Sequence, residues 1–310
     1  MKRCFVKFLF LFFSLSSIRC SNGNEPFPPP QEFRFYQSVR LDGWKRTYLL
    51  NLPPNYYSSP DQFPLVIALH GFGGDAYQFE SNYRFTDKAD KEQFIVVYPE
   101  GVRSSGALGM RSWNAGYCCD YATENQVADV RFINELIDLL IAGYRVDAKK
   151  IYVTGMSNGG MMAYRLAAEL SDRIAAIAAV SCSMVLAQDI HPSRPVPIMH
   201  LHSVNDEIIP YNGGEGIGGY YFPPVDSVLS VWAAADECLV DPLVLVDDGK
   251  YRLTEWSGCS GGASIRFYLT QDGGHAWPGG EKPRPQADEP SRAIDANELI
   301  WDFFQEHKLP

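Results

Sequence analysis

Positive charge is in short supply. Lys and Arg number 27 against 37 Asp and Glu, giving a net charge of -10 and a pI of about 5.1. That balance excludes nucleic acid and anionic membrane surfaces as natural partners. Metal-ligand spacing is also missing: there is no C-x-x-C pair and no His-rich stretch, so neither a metal nor a cofactor is expected. There is no internal repeat and no break that would mark a second domain. Histidine is scarce, 6 in 310 residues, which keeps the choice of catalytic base narrow.

The N-terminus stands apart. Met1-Lys2-Arg3 is basic, Phe5 to Leu15 is apolar except at Lys7 and Ser14, and Ser16 and Ser17 follow. This is the three-part pattern of a secretory signal peptide, expected over residues 1–20. The apolar part is too short for a membrane span. Cleavage fits near Ser16 or Ser17, or after Cys20; Arg19 in front of Cys20 speaks against a lipidated cysteine. Residues 21–32, with Pro26, Pro28, Pro29 and Pro30, read as an extended linker. Residues 33–310 are then one catalytic domain, secreted to an extracellular or periplasmic space and expected to act as a monomer. In such a compartment cysteines form disulfides. Beyond Cys4 and Cys20 there remain Cys118, Cys119, Cys182, Cys238 and Cys259. Cys238 and Cys259 flank a hairpin pattern and are expected to pair. Cys118 and Cys119 are adjacent, and one of them, with Cys119 the candidate, is expected to reach Cys182. One thiol is left over.

From Phe33 onward two aromatic-apolar runs meet at Asp42-Gly43, a hairpin signal. Strand-like apolar runs follow at 64–69, 94–98, 151–154, 174–181 and 196–201. Helical spacing lies between them at 76–92 and 127–142, and later at 225–237 and 291–307. Short strand patterns occur at 243–246, 251–256 and 265–269. Alternation of this kind predicts an α/β fold, a doubly wound, mostly parallel sheet with antiparallel N-terminal strands.

The chain is organised around Ile151-Tyr152-Val153-Thr154-Gly155-Met156-Ser157-Asn158-Gly159-Gly160. A β-branched run enters G-x-S-x-G and a helix-compatible run leaves it, the strand–turn–helix context that lifts a serine hydroxyl clear of the backbone. Ser157 is the candidate nucleophile. A nucleophilic serine needs a base, and the base an orienting acid. In chain order Ser, acid, His, the fitting pair is Asp206, just past the strand ending at 201, and His275, in the glycine-flanked loop 273–280. Asp226, Asp236, Asp247, Asp248 and Asp272 compete for the acid's role. Asp272 is too near His275 along the chain to orient it. His200 and His202 are expected to be satisfied structural histidines, His191 to lie in a connecting loop, and His307 to be solvated. His70-Gly71-Phe72-Gly73-Gly74 follows an early strand, where the second half of an oxyanion hole belongs; the N–H groups of Phe72 and Asn158 are assigned to it.

With those residues in view the chain resembles the secreted family of polyhydroxybutyrate depolymerases and feruloyl and acetylxylan esterases, of the α/β-hydrolase fold and similar to carbohydrate esterase family one. The resemblance is carried by Leu69–Gly74, Ser112-Trp113-Asn114-Ala115-Gly116-Tyr117-Cys118-Cys119, Val153–Met162, His202-Ser203-Val204-Asn205-Asp206 and Gly273–Gly280. It implies Ser157, Asp206 and His275 as triad. One departure is Ala128-Asp129, where the family often has two aspartates; an effect on loop structure more than on chemistry is expected. The expected reaction is ester hydrolysis through an acyl-enzyme. The substrate would be a small-molecule or oligosaccharide ester: feruloyl or acetyl esters of plant polysaccharide, or hydroxyalkanoate oligomers. His70, Trp113, Tyr117 and Trp277 are candidate substrate contacts, against the plainer role of packing their loops. No polymer-binding module is visible, which favours soluble substrates. A serine peptidase or acyltransferase of the same fold, or a non-catalytic polysaccharide-binding relative, are the alternatives.

Overall fold

In a computed structural model, which describes residues 31–186, 189–239 and 241–310, the apolar runs become a ten-stranded sheet. The proposed signal peptide, most of the linker, and Val240 lie outside the described residues. In chain order the elements begin with β1 (Arg34–Leu41), β2 (Trp44–Asn51), β3 (Phe63–Leu69), α1 (Ala76–Tyr83), α2 (Phe85–Glu92) and β4 (Ile95–Pro99). A two-stranded ribbon, β5 (Val102–Arg103) and β6 (Arg111–Ser112), precedes α3 (Asp120–Glu124), α4 (Asp129–Gly143), β7 (Val146–Met156) and α5 (Asn158–Glu169). Then come β8 (Ala176–Val180), β9 (Ile198–Ser203), a second ribbon, β10 (Gly214–Glu215) with β11 (Tyr221–Phe222), and α6 (Val225–Ala235). β12 (Leu243–Asp247), β13 (Tyr251–Trp256), β14 (Ile265–Thr270) and α7 (Ala296–Gln305) complete the domain.

Across the sheet the order is β1-β2-β4-β3-β7-β8-β9-β14-β13-β12. The strands from β4 to β14 run parallel to their neighbours. The β1–β2 hairpin adds to one side antiparallel, turning at Asp42 and Gly43, both at positive φ as Asp-Gly turns require. This is the expected α/β-hydrolase sheet. A second antiparallel edge, β13 and β12 beyond β14, was not anticipated.

Central strands are apolar throughout because both faces are covered. Leu65, Ile67 and Leu69 of β3 face the layer of α4, α5 and α6, where Phe132, Leu136, Met162 and Trp232 pack. Val66 and Ala68 face α1, α2 and α7, against Phe79, Phe85, Trp301 and Phe304. Each such large side chain taken fully out of water contributes about 1.5–3 kcal/mol. The helix expected over 76–92 divides in two, because Arg84 adopts a left-handed φ of 52° and its N–H caps Glu80 O. His307 is another departure: it is half-buried against Phe303 rather than solvated, and burial pushes its pKa down to about 4.

The disulfides also differ in part from expectation. Cys238 pairs with Cys259 across the β12–β13 hairpin, as anticipated. Cys119 pairs with its neighbour Cys118, so it does not reach Cys182. Cys182 is a free, fully buried thiol after β8. It packs against Gly160 at the start of α5, where any Cβ would come within 2.7 Å of its Sγ.

Candidate active site

Parallel strands place their C-terminal ends along one rim of the sheet, and loops leaving that rim build sites. β3 and β7 are paired neighbours, as are β9 and β14. The loops after these two pairs meet around a cavity of about 310 Å³ lined by Gly71, Phe72, Ser157 and His275.

Ser157 sits between β7 and α5 with φ 55° and ψ -124°, a strained backbone for a residue with a side chain. Its N–H donates to Val180 O at 2.8 Å, and its own carbonyl accepts the first helical bond from Met161 N–H at 2.9 Å. The flanking glycines are needed for room. A Cβ on Gly155 would strike the backbone of Gly159, and one on Gly159 would strike the carbonyls of Leu69 and His70. β3, the elbow and α5 therefore touch backbone to backbone.

The loop after β3 is braced from below. His70 is fully buried. Gly101 N–H donates to its Nε2 at 3.0 Å, so the ring proton is on Nδ1, 2.7 Å from Gly71 O. Burial pushes its pKa down to about 4, which keeps it neutral. Trp113 Nε1–H donates to His70 O at 2.9 Å. The Asn158 side chain accepts from Trp113 N–H at 2.7 Å and donates to Trp113 O at 3.2 Å. Gly73 N–H is held by Arg111 O at 2.8 Å. Among the described residues, neither Phe72 N–H nor Asn158 N–H donates to a carbonyl. Asn158 is the first residue of α5, where such N–H groups are left over.

The other wall is made of side chains. His275 Nδ1–H donates to Asp206 Oδ2 at 2.8 Å. Asp206 Oδ1 accepts from Ile208 N–H at 3.0 Å and Ile209 N–H at 2.8 Å. Burial would raise the Asp206 carboxyl, but the His275 ring and its hydrogen bond, His202 and the Ile209 N–H outweigh it and hold the group below the usual carboxylate range. His275 N–H is itself held by Asp288 Oδ2 at 2.7 Å. With Nδ1 committed to Asp206, Nε2 is the nitrogen free for proton transfer. No direct hydrogen bond joins Ser157 Oγ to this ring among the described residues; such contacts commonly tighten only with substrate bound.

Of the candidates, Ser157, Asp206, His275, Phe72 and Asn158 come together at one corner. Four proposed substrate contacts do not line the cavity. His70 and Trp113 lie beneath it, with both polar ends spent on backbone. Trp277 is fully buried, stacked on Tyr83 at 5.0 Å with Nε1–H on Asn297 Oδ1 at 2.9 Å. Tyr117 is partly exposed and donates to Tyr221 O at 3.1 Å. The cavity wall is instead completed by Gln78, Tyr83, Ile208, Arg284, Gln286 and Asp288. Asp272 is occupied elsewhere, accepting from Ser291 Oγ and Arg292 N–H. Asp129 proves structural: it is fully buried, paired with Arg46 at 2.6 Å and accepting Asn114 N–H at 2.8 Å. Missed altogether were Asp288, which no spacing rule connects to His275, and the burial of Tyr164 in line with His200 and His202.

The family model for PHB-depolymerase esterases matches residues 46–209. A bifunctional acetylxylan esterase/xylanase of Neocallimastix patriciarum is 33% identical over 166 residues, 54% of this chain and 22% of that protein. Feruloyl esterase B of Piromyces equi is 28% identical over 267 residues, 83% of this chain and 44% of that protein. The chain thus spans less than half the length of these two relatives. The solved acetyl xylan esterase from Aspergillus awamori superposes with a TM-score of 0.58 at 17% identity, covering 87% of this chain and 99% of that one. At that identity the likeness speaks to fold alone.

Proposed function

Because the chain belongs to the PHB-depolymerase esterase family, we propose that it is a secreted serine esterase that cleaves carboxylic esters through an acyl-enzyme. The observation that carries this is the meeting of Ser157, His275 and the Phe72 loop on one cavity, with His275 Nδ1 on a buried carboxylate. His275 Nε2 takes the Ser157 Oγ proton as the oxygen attacks the ester carbonyl. Asp206 fixes the ring tautomer and stabilises the imidazolium. The N–H groups of Phe72 and Asn158 receive the charge that develops on the carbonyl oxygen. His275 then returns its proton to the leaving alcohol. Water, deprotonated by the same ring, releases the acid and restores Ser157.

Relatives named as acetylxylan and feruloyl esterases support acetyl or feruloyl esters of plant polysaccharide as the substrate class, with hydroxyalkanoate oligomers next. Secretion is supported by the Met1–Ser17 pattern and by the Cys238–Cys259 disulfide. No helix among the described residues is long and apolar enough to cross a membrane.

The test is hydrolysis by wild type and Ser157→Ala of p-nitrophenyl acetate and butyrate, methyl ferulate, acetylated xylo-oligosaccharide and a 3-hydroxybutyrate oligomer. An active wild type beside a dead variant is expected, and the preferred ester ranks the substrates. A fully active variant overturns the mechanism. Matching amides, and product analysis with a competing alcohol, separate esterase from peptidase and acyltransferase.

A further inference from the structure

Behind Asp206 a line of polar side chains runs into the core. Tyr164 Oη lies 2.8 Å from His200 Nδ1, and His200 Nε2 lies 3.2 Å from His202 Nδ1. His202 Nε2 lies 2.9 Å from Ile209 O and 3.3 Å from Asp206 Oδ2. Tyr164, His200 and His202 are all buried. Three polar groups in a core are expensive unless every one is paired in the right sense.

The pairing has only one consistent direction. Ile209 O and the Asp206 carboxylate can only accept, so His202 carries its proton on Nε2. Burial lowers the pKa of both rings, most strongly for His200, so each carries a single proton. His202 Nδ1 is then an acceptor and His200 Nε2 must donate to it. His200 Nδ1 is left to accept from the Tyr164 hydroxyl. Turning either ring to the other tautomer sets two lone pairs, or a lone pair and a carboxylate, face to face.

We propose that Tyr164, His200 and His202 are positioning residues that lock the His202 Nε2 proton on Ile209 O, beside Asp206 Oδ2, so that an N–H edge and not a lone pair faces the carboxylate that holds His275. Tyr164 stands at the far end of the chain, on α5, the same helix whose first residue is Asn158. The helix that follows the nucleophile thereby also sets the proton arrangement behind the acid. The other titratable groups facing this line are His275, Cys182, after β8, and Tyr211, whose ring tilts over His202. Phe267 meets His200 edge-on and carries no charge. The proposal rests on the triad reading given above, and its test is separable from that reading.

Two measurements decide it. Nitrogen NMR of histidine-labelled protein reads which ring nitrogen bears the proton, whether or not the enzyme turns over. Both His200 and His202 are expected neutral with the proton on Nε2; a proton on Nδ1 of either overturns the lock. Kinetics of Tyr164→Phe, His200→Gln and His200→Phe then test its use. Tyr164→Phe should lower kcat about ten-fold with KM unchanged, the scale seen when an outer partner of a site residue is lost. It should also move the acidic limb of the pH profile upward, because an Asp206 that no longer faces a fixed His202 N–H edge is less stabilised as carboxylate and accepts more strongly from His275. His200→Gln, whose amide can both accept from Tyr164 and donate to His202, should keep most of kcat; His200→Phe should not. If all three variants lose thermal stability while kcat and the pH limb stay put, the residues are merely structural and the proposal falls. In that case an inactive Ser157→Ala leaves the triad standing. An active Ser157→Ala removes the triad, and the kinetic half of this proposal with it.

Discussion

The two walls of the cavity are held in opposite ways. The elbow wall, made by the loop after β3 and the β7–α5 turn, has backbone meeting backbone at its centre, with His70, Trp113 and the Asn158 amide bracing it from below. The opposite wall, made by the loops after β9 and β14 that carry Asp206 and His275, is fixed by side chains that reach across. On the first wall, geometry depends on what is absent at Gly155 and Gly159. On the second it depends on what is present at Asp206, His275 and Asp288. Damage to the first wall should therefore be felt as lost stability, and damage to the second as lost turnover.

The sharpest change is at the seam between them. Ser157→Ala leaves both walls intact and removes only the oxygen proposed to attack. A loss of roughly 10⁶ in kcat is expected, with the melting temperature retained or raised. Activity assays with a thermal melt check both halves. On the side-chain wall, Asp206→Asn should cost about 10⁴ in kcat, because the amide presents the wrong partner to His275 Nδ1–H. A variant with near-normal kcat would move the acid's role to another residue.

On the backbone wall, Gly159→Ala should unfold or destabilise the protein by at least about 3 kcal/mol, since its Cβ meets two carbonyls that cannot yield. A soluble Gly159→Ala with normal stability would break the contrast. The smallest effect is expected far from both walls, at Asp236. This carboxyl is buried, accepts Val196 N–H at 3.0 Å through Oδ1 and, among the described residues, has no partner for Oδ2. Burial pushes its pKa up to about 7. A carboxyl whose folded pKa lies above its unfolded value contributes stability at low pH and loses it as the pH rises through about 7. Asp236→Asn should therefore flatten the decline in melting temperature between pH 5 and pH 8, leaving kcat alone. The expected scale is on the order of 1–3 kcal/mol. A variant that declines as steeply as wild type would show that another group sets the slope.

The same contrast explains what could be read in advance. The elbow was legible because close backbone contact writes itself as glycine at fixed spacing. The sheet was legible because strands buried on both faces are apolar without interruption. Asp206 and His275 followed from chain order and from their places after strands. The rest of the side-chain wall was hidden, since no local pattern says that Asp288 folds back onto His275 N–H or that Arg284 and Gln286 flank the opening. Trp113 and Trp277 were ambiguous in sequence for the reverse reason. Loop aromatics near motif residues resemble a binding platform, yet each indole N–H is spent on an internal acceptor and each ring serves as a wedge. Cys182 looked like a disulfide partner because spacing does not show that Cys118 and Cys119 pair with each other. The β12–β13 strands were visible as patterns, but nothing in them announced an antiparallel edge.

The φ of 55° at Ser157 bears on how this chain can change over generations. A glycine there would adopt the same turn with little strain, and the enzyme would gain on the order of 1–3 kcal/mol of stability. Drift toward sturdier folding thus leads directly away from the proposed chemistry at this one position. A descendant released from selection for ester cleavage would be expected to lose its hydroxyl early and keep its fold intact, a dead relative sturdier than its living parent.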